Sequence, residues 1–251
     1  MADDLTRFKK IDFEGFRRLA QDDSLSIYEK IGFPNSYRKG KEEGILKDIV
    51  GKLNGLELNS QLIVDIGPGC SDLPRMLIEL CSAHGHRLLL VDSEEMLSLI
   101  PACPFIERFP GRFPQDCKPL FKEYSGRVNV ILAYSMIHYV FAEANVFEFL
   151  DACLDLLAPG GTLLIGDIPN VSKRKRFFSS ATGIRFHREF MRTQDEPSVA
   201  FNRIEPGEID DSVIMGLTMR ARAAGFDAYI LPQSDELPMA NRREDLLIQR
   251  P

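Results

Sequence analysis

The sequence predicts an α/β fold in which a mostly parallel β-sheet is covered by helices on both faces. Between residues 62 and 167, short and almost wholly apolar runs alternate with stretches whose apolar residues recur at helical spacing. Strands that are apolar throughout belong to sheets buried on both sides, and parallel strands need connections long enough to hold a helix. The 251 residues, 44% of them hydrophobic, are enough for one such domain with an additional segment.

Seven strands are expected from apolar composition and length. Five are predicted to form the parallel part of the sheet: residues 62–66 (LIVDI), 87–91 (RLLLV), 105–107, 128–134 (VNVILAY) and 162–167 (TLLIGD). The run LAPGG (157–161) is expected to reverse the chain before the fifth strand. The connection between the last two strands, 226–232 and 243–249, is too short for a crossover helix, so these strands should pair antiparallel.

Helices are predicted where apolar residues recur at intervals of three and four. The helical stretches are residues 45–53, 73–81, 94–100, 141–157 and 213–224. Pro74 falls in the first turn of the second stretch, where its missing N–H costs nothing. Gly55 and Gly225 mark helix ends. Residues 1–60 as a whole are expected to be helical, whereas residues 170–210 show no strand pattern.

Composition and charge exclude several classes of protein. Lys and Arg number 31 against 37 Asp and Glu, and the net charge of −6 argues against binding polyanions over the whole surface. Five scattered cysteines without a CxxC pattern indicate neither a disulfide framework nor a zinc site, and we expect no bound metal. The N-terminal sequence MADDLTRFKK lacks the apolar region of a signal peptide, and no run is long enough to span a membrane, so we expect a cytoplasmic protein.

The loop after the first strand, VDIGPGCSD (64–72), is the most informative motif. Gly67 and Gly69 allow a tight turn and a close backbone approach to a ligand, and the following helix N-terminus offers free N–H groups. A dinucleotide fingerprint would need a third small residue where Asp72 stands, which argues against a nicotinamide cofactor. Asp92, at the end of the second strand, is placed to bind ribose hydroxyls. The alternatives are a turn without a ligand and an Asp92 that caps the next helix.

These motifs, in this order, resemble those of the class I S-adenosylmethionine-dependent methyltransferases. The similar segments are DIGPG (65–69), VDSEEML (91–97), ILAYSMIHYV (131–140) and LLAPGGTLLIGD (156–167). The resemblance implies a Rossmann-like sheet of seven strands whose last strand is antiparallel, with S-adenosyl-L-methionine as the cofactor. It places these residues in the cofactor site: Asp65, Gly67, Gly69, Asp92 on the ribose, Met96 on the adenine, and Tyr134.

Two further parts of the cofactor site are expected from the resemblance. Many members have an acid after the third strand that contacts the adenine amino group, whereas this sequence has Arg112 there. Either Asp116 is that acid or backbone groups near Phe113 hold the adenine. Residues 1–60 are expected to form a helical cap over the cofactor, in which Arg38 binds its carboxylate. An exposed charge at a helix start is the alternative for Arg38.

Three residues are candidates for acid–base catalysis. Methyl transfer needs a base when the acceptor is a hydroxyl or an ammonium whose proton must leave. His138, just after the fourth strand, is the first candidate and His187 the second, while Asp167 at the end of the fifth strand could orient a base or contact the acceptor. The structural alternatives are a histidine bonded within its turn, an exposed histidine and a turn-capping acid, respectively.

Residues 171–192, named here the basic segment, contain seven Lys or Arg residues against one acid, with four phenylalanines between them. They belong to residues 170–210, which would form a substrate-side insert in a methyltransferase domain spanning 61–251. Such cations suit an anionic, acidic or phosphorylated acceptor, although a solvated helix with its phenylalanines in the core is the alternative. We therefore expect a methyltransferase for a small anionic or saccharide-type acceptor, acting at oxygen rather than nitrogen.

Three other functions stay open. A nicotinamide-dependent reductase could share the topology, and a degenerate methyltransferase fold could serve as a non-catalytic binding subunit. A nucleic-acid methyltransferase ranks lower, because the net charge is negative and the fourth strand ends in AYSM. The expected partner is therefore a small molecule, with neither a nucleic acid nor a membrane.

Overall fold

The computed structural model describes residues 11–251, and seven strands within them form one sheet. The strands are β1 (Leu62–Ile66), β2 (Arg87–Asp92), β3 (Ile106–Pro110), β4 (Val128–Tyr134), β5 (Leu157–Pro169), β6 (Asp227–Pro232) and β7 (Arg243–Gln249). Their spatial order is β3-β2-β1-β4-β5-β7-β6, with β1 to β5 parallel and β7 antiparallel to both of its neighbours. The predicted Rossmann-like, mostly parallel sheet of seven strands with an antiparallel last strand is confirmed.

The helices lie before, between and after these strands. They are α1 (Phe13–Gln21), α2 (Ile27–Lys30), α3 (Asn35–Arg38), α4 (Glu42–Lys52), α5 (Asp72–His84), α6 (Glu94–Ser98), α7 (Lys118–Tyr124), α8 (Ile137–Glu143), α9 (Val146–Leu156), α10 (Val171–Phe178), α11 (Ala181–Met191) and α12 (Asp211–Ala223). Short 3₁₀ helices at Asn54–Glu57 and Ala240–Arg242 precede β1 and β7. No helix within residues 11–251 is long and apolar enough to cross a membrane. The N-terminal sequence MADDLTRFKK, where no signal peptide is predicted, lies outside the described residues.

Apolar side chains pack on both faces of the sheet, as the almost wholly apolar strands predict. Successive side chains of a strand point to opposite faces, so Leu89 belongs to one buried cluster while Leu88 and Leu90 belong to another. The first cluster includes Phe149 of α9 and Leu217 of α12, and the second includes apolar residues of α4 and α5. Helices therefore cover both faces of the sheet.

Two predicted element boundaries are wrong. The helix predicted over residues 141–157 is two helices, α8 and α9, because the side chain of Asn145 accepts hydrogen bonds from two N–H groups of the following turn and starts a new helix. The run LAPGG, predicted as a turn, already belongs to β5. Leu157 pairs with Val128, and an irregularity in the register of β4 follows before the main pairing resumes.

The N-terminal helices reach the edge of the sheet at which the parallel strands end. α1, capped by the side chain of Asp12, packs against α6, which follows β2. α4 packs against α5, which follows β1. Residues 170–210 contain α10 and α11 and, as predicted, no strand. The fold thus brings the N-terminal segment to the carboxyl ends of β1 and β2.

Candidate functional site

A cavity of about 950 Å³, named here the larger cavity, opens at the carboxyl ends of β1, β2, β3 and β4. Ligands of open α/β sheets bind at this edge, and the volume is in the range of small-molecule sites. The structure brings to the cavity wall all nine residues predicted to contact the cofactor: Arg38, Asp65, Gly67, Gly69, Asp92, Met96, Arg112, Phe113 and Tyr134. Their contacts with a ligand stay predictions.

The turn between β1 and α5 needs glycine at two positions. Gly67 and Gly69 have φ angles of +70° and +66°, in the left-handed region that other residues adopt at a cost. A Cβ atom on Gly69 would lie 2.6 Å from the side chain of Ile31, and one on Gly67 would lie 3.3 Å from that of Met136. Ile31 and Met136 also line the larger cavity. The two glycines therefore let the backbone approach the cavity without obstructing it.

Asp92 ends β2 with its carboxylate directed toward the glycine turn. Oδ2 accepts a hydrogen bond from the N–H of Gly69 at 3.1 Å, and Oδ1 accepts one from the N–H of Ser93 at 2.7 Å. Burial raises the pKa of Asp92 to about 6, although these two hydrogen bonds act to lower it. Ser93 caps α6 with its own hydroxyl, so the alternative in which Asp92 is the cap is wrong. The carboxylate retains lone pairs that a ligand in the cavity could use.

A second carboxyl group in this region is more deeply buried than that of Asp92, which is only partly buried. Asp65 of β1 lines the larger cavity and is 4% exposed. Burial, together with the negative charge of Asp92, raises the pKa of Asp65 to about 8. At neutral pH, Asp65 is therefore mostly protonated and able to donate a hydrogen bond, whereas Asp92 is mostly ionised and accepts hydrogen bonds.

The wall of the cavity next to β3 combines apolar side chains with an arginine. Met96 and Phe113 are buried there. The guanidinium of Arg112 lies 3.1 Å from a carboxylate oxygen of Glu14, and the backbone N–H of Arg112 donates to the carboxylate of Asp116. The two alternatives for the adenine contact, Asp116 and the backbone near Phe113, both stay open because both residues line the cavity.

Arg38 is a buried cation on the cavity wall. Its side chain belongs to a residue that is 5% exposed, and its guanidinium carbon lies 4.6 Å from the ring centroid of Phe33 and 5.9 Å from that of Tyr134. Within residues 11–251, no carboxylate lies at ion-pair distance from this guanidinium. The alternative of an exposed charge is wrong, and the arrangement suits the binding of an anionic group of a ligand.

Comparison with known proteins identifies the fold. No family model matches the sequence, and no curated protein matches it either. The N-methyltransferase NodS from Bradyrhizobium japonicum, solved with S-adenosyl-L-homocysteine, is similar with a TM-score of 0.54 at 13% identity, covering 96% of this chain and 100% of that one. An O-methyltransferase family protein from Burkholderia thailandensis gives 0.55 at 17% identity, covering 96% of this chain and 63% of that one. The CurJ carbon methyltransferase gives 0.56 at 15% identity, covering 99% of this chain and 66% of that one.

This chain has the class I S-adenosylmethionine-dependent methyltransferase fold. The three similar proteins are named for transfer to nitrogen, to oxygen and to carbon. The methyltransferase fold therefore does not by itself select the acceptor atom, which has to be argued from the residues of this site.

His138 lies in α8, which follows β4 of the methyltransferase fold. Its ring centroid is 3.9 Å from that of Tyr139, and Tyr139 lines the larger cavity whereas His138 does not. Within the described part of the chain, Nδ1 of His138 is buried without a hydrogen-bond partner. Burial, together with the positive charge of Arg243, lowers the pKa of His138 to about 3. Its role as a base stays a prediction, against which the low pKa weighs.

The other two catalytic candidates do not line the larger cavity. Asp167 is buried in β5, where its Oδ2 accepts a hydrogen bond from Nη1 of Arg243 at 2.9 Å and its N–H donates to Asp245 at 2.8 Å. His187 lies in α11 and lines a second cavity of about 290 Å³, named here the smaller cavity. Catalysis by Asp167 or His187 stays a prediction, and it would require an acceptor that extends beyond the larger cavity.

The basic segment does not supply free cations to the larger cavity. Five of its seven cations bind acceptors on the protein itself: Lys173, Arg174, Lys175, Arg176 and Arg188. The acids that pair with four of them are Glu205, Asp211 and Glu196. No residue of the basic segment lines the larger cavity. The expectation that this segment offers its charges to an acceptor stays a prediction, against which these internal pairings weigh, although Arg174 and Lys175 line the smaller cavity.

Helix α1 contributes site residues that sequence reasoning missed. Phe13, Phe16 and Arg17 line the larger cavity. Arg17 donates to both carboxylate oxygens of Glu95 at 2.7 and 2.9 Å, and the ring of Phe16 meets that of Tyr139 edge-on with centroids 4.8 Å apart. Glu95 belongs to α6 and Tyr139 to α8, so α1 spans the cavity between them. The sequence signal that could have indicated these residues is the spacing of two phenylalanines before two arginines in FEGFRRLAQ.

Ser135, immediately after β4, is a further residue that the sequence did not single out. Its φ angle is +60°, and its hydroxyl is buried without a hydrogen-bond partner among the described residues. Ser135 lines the larger cavity. Left-handed backbone at a non-glycine residue and an unpartnered buried hydroxyl both occur preferentially at functional sites. The hydroxyl of Ser135 is therefore available to a ligand.

Proposed function

We propose that this protein is an S-adenosylmethionine-dependent methyltransferase that acts on an ionised oxygen of a small acceptor. The observation that carries the proposal is the partly buried carboxylate of Asp92, held by the backbone N–H groups of Gly69 and Ser93 beside the glycine turn. A carboxylate fixed at this place in the methyltransferase fold suits the two hydroxyls of a ribose. The larger cavity also has room for an acceptor next to a nucleoside.

The residues around the cavity fit the parts of this cofactor. Asp92 would bind the ribose, while Met96 and Phe113 offer buried apolar surface for the adenine. Arg38, whose charge acts on Glu42 but which lies at ion-pair distance from no carboxylate among the described residues, would bind the methionyl carboxylate. Asp65, protonated at neutral pH, would donate a hydrogen bond to the ligand. The presence of S-adenosyl-L-homocysteine in the similar protein NodS supports the same choice here.

The task of the protein in this reaction is orientation and the exclusion of water. The cofactor supplies a methyl group that its sulfonium already activates. We propose that residues 11–60 cap the site, with α1 covering the cavity through Phe13 and Phe16. A dry, closed site favours attack because the reacting atoms are held in place and competing water is removed.

The acid–base properties of the site favour an acceptor that is already ionised. A general base works best when its pKa lies near the operating pH. The pKa of His138 is lowered to about 3, and Asp167 is held in an ion pair with Arg243. An acidic oxygen such as a carboxylate loses no proton on methylation and so needs no base. These observations support the anionic acceptor over the saccharide-type acceptor, whose hydroxyl would have to be deprotonated.

Calorimetric titration tests the cofactor. We expect S-adenosyl-L-homocysteine to bind and NADH not to bind under the same conditions. Binding of NADH in the absence of S-adenosyl-L-homocysteine binding would support the reductase alternative and overturn the proposal. A matched experiment on the Asp92→Ala variant connects any binding to the carboxylate that carries the argument.

Turnover tests the acceptor. The protein is incubated with methyl-labelled S-adenosyl-L-methionine and a set of small carboxylic acids, each paired with the alcohol of the same carbon skeleton. We expect label on members of the acid set and none on the alcohols. Label on the alcohols alone would contradict the choice of an ionised oxygen. Cofactor binding without transfer to any acceptor would support the non-catalytic subunit.

A further inference from the structure

Three arginines, named here the arginine cluster, lie where α10 packs against the segment that leads into β7: Arg174, Arg242 and Arg243. The N–H of Asn170 donates to the carbonyl oxygen of Arg242, and the N–H of Arg174 donates to that of Asn170. Arg174 pairs with Glu205 at 2.6 Å, and Arg243 pairs with Asp167 at 2.9 Å. Arg242 differs, because within residues 11–251 no carboxylate lies at ion-pair distance from it, and its Nη1 donates to the neutral side chain of Asn241 at 3.2 Å. One charge of the arginine cluster therefore lacks a counter-charge in the described part of the chain.

The surroundings of Arg242 make this uncompensated charge costly. Its side chain is partly buried, and its guanidinium carbon lies 5.9 Å from the ring centroid of Phe178. Burial and the like charges of Arg243 and Arg174 lower the pKa of Arg242, whereas Tyr37 acts to raise it. A partly desolvated cation among like charges is stabilised when an anion joins it. The arrangement is thus suited to receive an anionic ligand.

The arginine cluster lies beside the smaller cavity and is connected by hydrogen bonds to the wall of the larger one. Arg174 and Phe178 line the smaller cavity. On the other side, Arg243 donates to the carboxylate of Asp167, and Gln233 donates both to Asp167 and to the hydroxyl of Tyr134, which lines the larger cavity. A ligand that reaches from the larger cavity toward the smaller one would therefore meet the arginine cluster beyond the proposed methyl-transfer site.

We propose that Arg242, with Arg174 beside it, binds an anionic group of the methyl acceptor, either a carboxylate or a phosphate. Phe178 offers a ring against which an apolar or aromatic part of the same molecule packs. That the bound anion is the methyl acceptor depends on the proposed function, whereas the existence of the anion site does not. The main cation of this site, Arg242, lies outside the basic segment that the sequence analysis singled out. Arg174 is the one residue of the site that belongs to that segment.

Calorimetry on the protein saturated with S-adenosyl-L-homocysteine tests this site. The probes are phenyl phosphate, benzoate and the neutral benzyl alcohol, and the variants are Arg242→Gln and Arg185→Gln. Arg185 is an exposed arginine of α11 and loses the same charge. We expect at least one of the anions to bind more tightly than benzyl alcohol, and Arg242→Gln to weaken it about tenfold or more. Arg185→Gln should bind like the wild type, and the preferred anion names the class of the acceptor.

Equal anion affinity in Arg242→Gln and the wild type, or no anion binding by the wild type, would overturn the proposal. A second measurement needs no variant: phenylglyoxal modification of the wild type, with peptide mapping, in the presence and absence of inorganic phosphate. Phosphate should protect Arg242 and leave Arg185 reactive, whereas equal modification of Arg242 under both conditions contradicts the site. Titration with S-adenosyl-L-homocysteine alone separates the two proposals. Its failure overturns the cofactor assignment, while phenyl phosphate binding that depends on Arg242 still supports the anion site.

Discussion

Asp92 is the single side chain on which cofactor binding depends most in the proposed function. Replacing it by alanine removes the carboxylate that Gly69 and Ser93 orient. We expect Asp92→Ala to lose about 1.5–3 kcal/mol of affinity for S-adenosyl-L-homocysteine, the scale of hydrogen bonds to a charged group, with the fold retained. Calorimetry measures the change, and Glu79→Ala, which removes an exposed acid of α5, is the control. An unchanged Kd in Asp92→Ala would remove this residue from the ribose.

The pKa of Asp92 gives cofactor binding a pH dependence of defined sign. Burial raises that pKa to about 6, so the carboxylate is ionised above this pH and protonated below it. The ionised form accepts hydrogen bonds from ribose hydroxyls, and affinity for S-adenosyl-L-homocysteine should therefore fall as the pH falls through about 6. Titrations across this range check the prediction. Asp92→Asn should lack the inflection, whereas an inflection that persists in this variant assigns the effect to another group.

For single residues, the sequence predicted the position in the fold better than the burial and the pKa of the side chain. Gly67, Gly69 and Asp92 line the cavity because their positions at strand ends fix where they lie. The burial of Arg38 and the lowered pKa of His138 could not be predicted. They depend on side chains far away in the sequence, such as Arg243 for His138.

The turn between β1 and α5 supports a prediction about a whole element. Gly69→Ala would place a Cβ 2.6 Å from Ile31 at a φ of +66°, so the turn has to move. We expect the free energy of unfolding to fall by about 1–3 kcal/mol and the affinity for S-adenosyl-L-homocysteine to drop with it. Chemical denaturation and calorimetry measure these two quantities.

Gly51→Ala is the matched control for this turn. Gly51 lies in α4, where a Cβ meets nothing within 4 Å and the backbone is helical. The substitution should leave binding unchanged and raise the free energy of unfolding by about 0.5–1 kcal/mol, because alanine loses less backbone freedom in a helix. Equal behaviour of Gly69→Ala and Gly51→Ala would show that the glycine turn has no special role.

Elements were predictable from the sequence where one local pattern determines them. Each parallel strand is an apolar run, and the strands were found within a few residues. The break between α8 and α9 depends on one side-chain cap at Asn145, a weaker signal than the apolar periodicity that continues across it. The position of α1 over the cavity depends on partners in α6 and α8, which no local pattern reveals.

A buried ion pair connects the N-terminal segment with the last strand of the whole molecule. Nζ of Lys52 in α4 lies 2.6 Å from a carboxylate oxygen of Asp245 in β7, which is fully buried. Lys52→Met leaves that carboxyl without its cation, and we expect the free energy of unfolding to fall by about 3–5 kcal/mol. Chemical denaturation measures the change.

The control for this pair is an exposed one. Arg220 and Asp151 form a salt bridge whose side chains are 47% and 45% exposed, so Arg220→Met should cost less than about 1 kcal/mol. If Lys52→Met lowers the free energy of unfolding by no more than Arg220→Met does, the structural role of the buried pair is contradicted.

For the whole molecule, the fold class could be predicted from the sequence, whereas the distribution of charge over the folded surface could not. Strand and helix alternation predicts the α/β architecture, and the short last connection predicts the antiparallel end of the sheet, whereas the order of the strands is seen only in the structure. The basic segment looked like an exposed positive surface because its acids come later in the chain. Glu205 and Asp211 neutralise three of its cations only after folding.

The contacts of α1 predict how fast a bound ligand leaves. Arg17 holds Glu95 on one side of the cavity, and Phe16 meets Tyr139 on the other. Arg17→Met removes the first of these contacts, and we expect S-adenosyl-L-homocysteine to dissociate faster, which stopped-flow displacement measures. High salt should accelerate release in the wild type and have less effect in Arg17→Met, because it screens the ion pair. Identical dissociation rates in the two proteins would contradict this role of α1.

Because Arg17 and Phe16 of α1 contact α6 on one side of the larger cavity and α8 on the other, we expect exchange of spent for fresh cofactor to involve movement of this helix. Motions of this kind occur on microsecond-to-millisecond timescales and set the turnover of many enzymes. The pace of this protein would then be governed by the opening of its N-terminal helix rather than by the methyl-transfer step, and it would respond to the ionic strength of its surroundings.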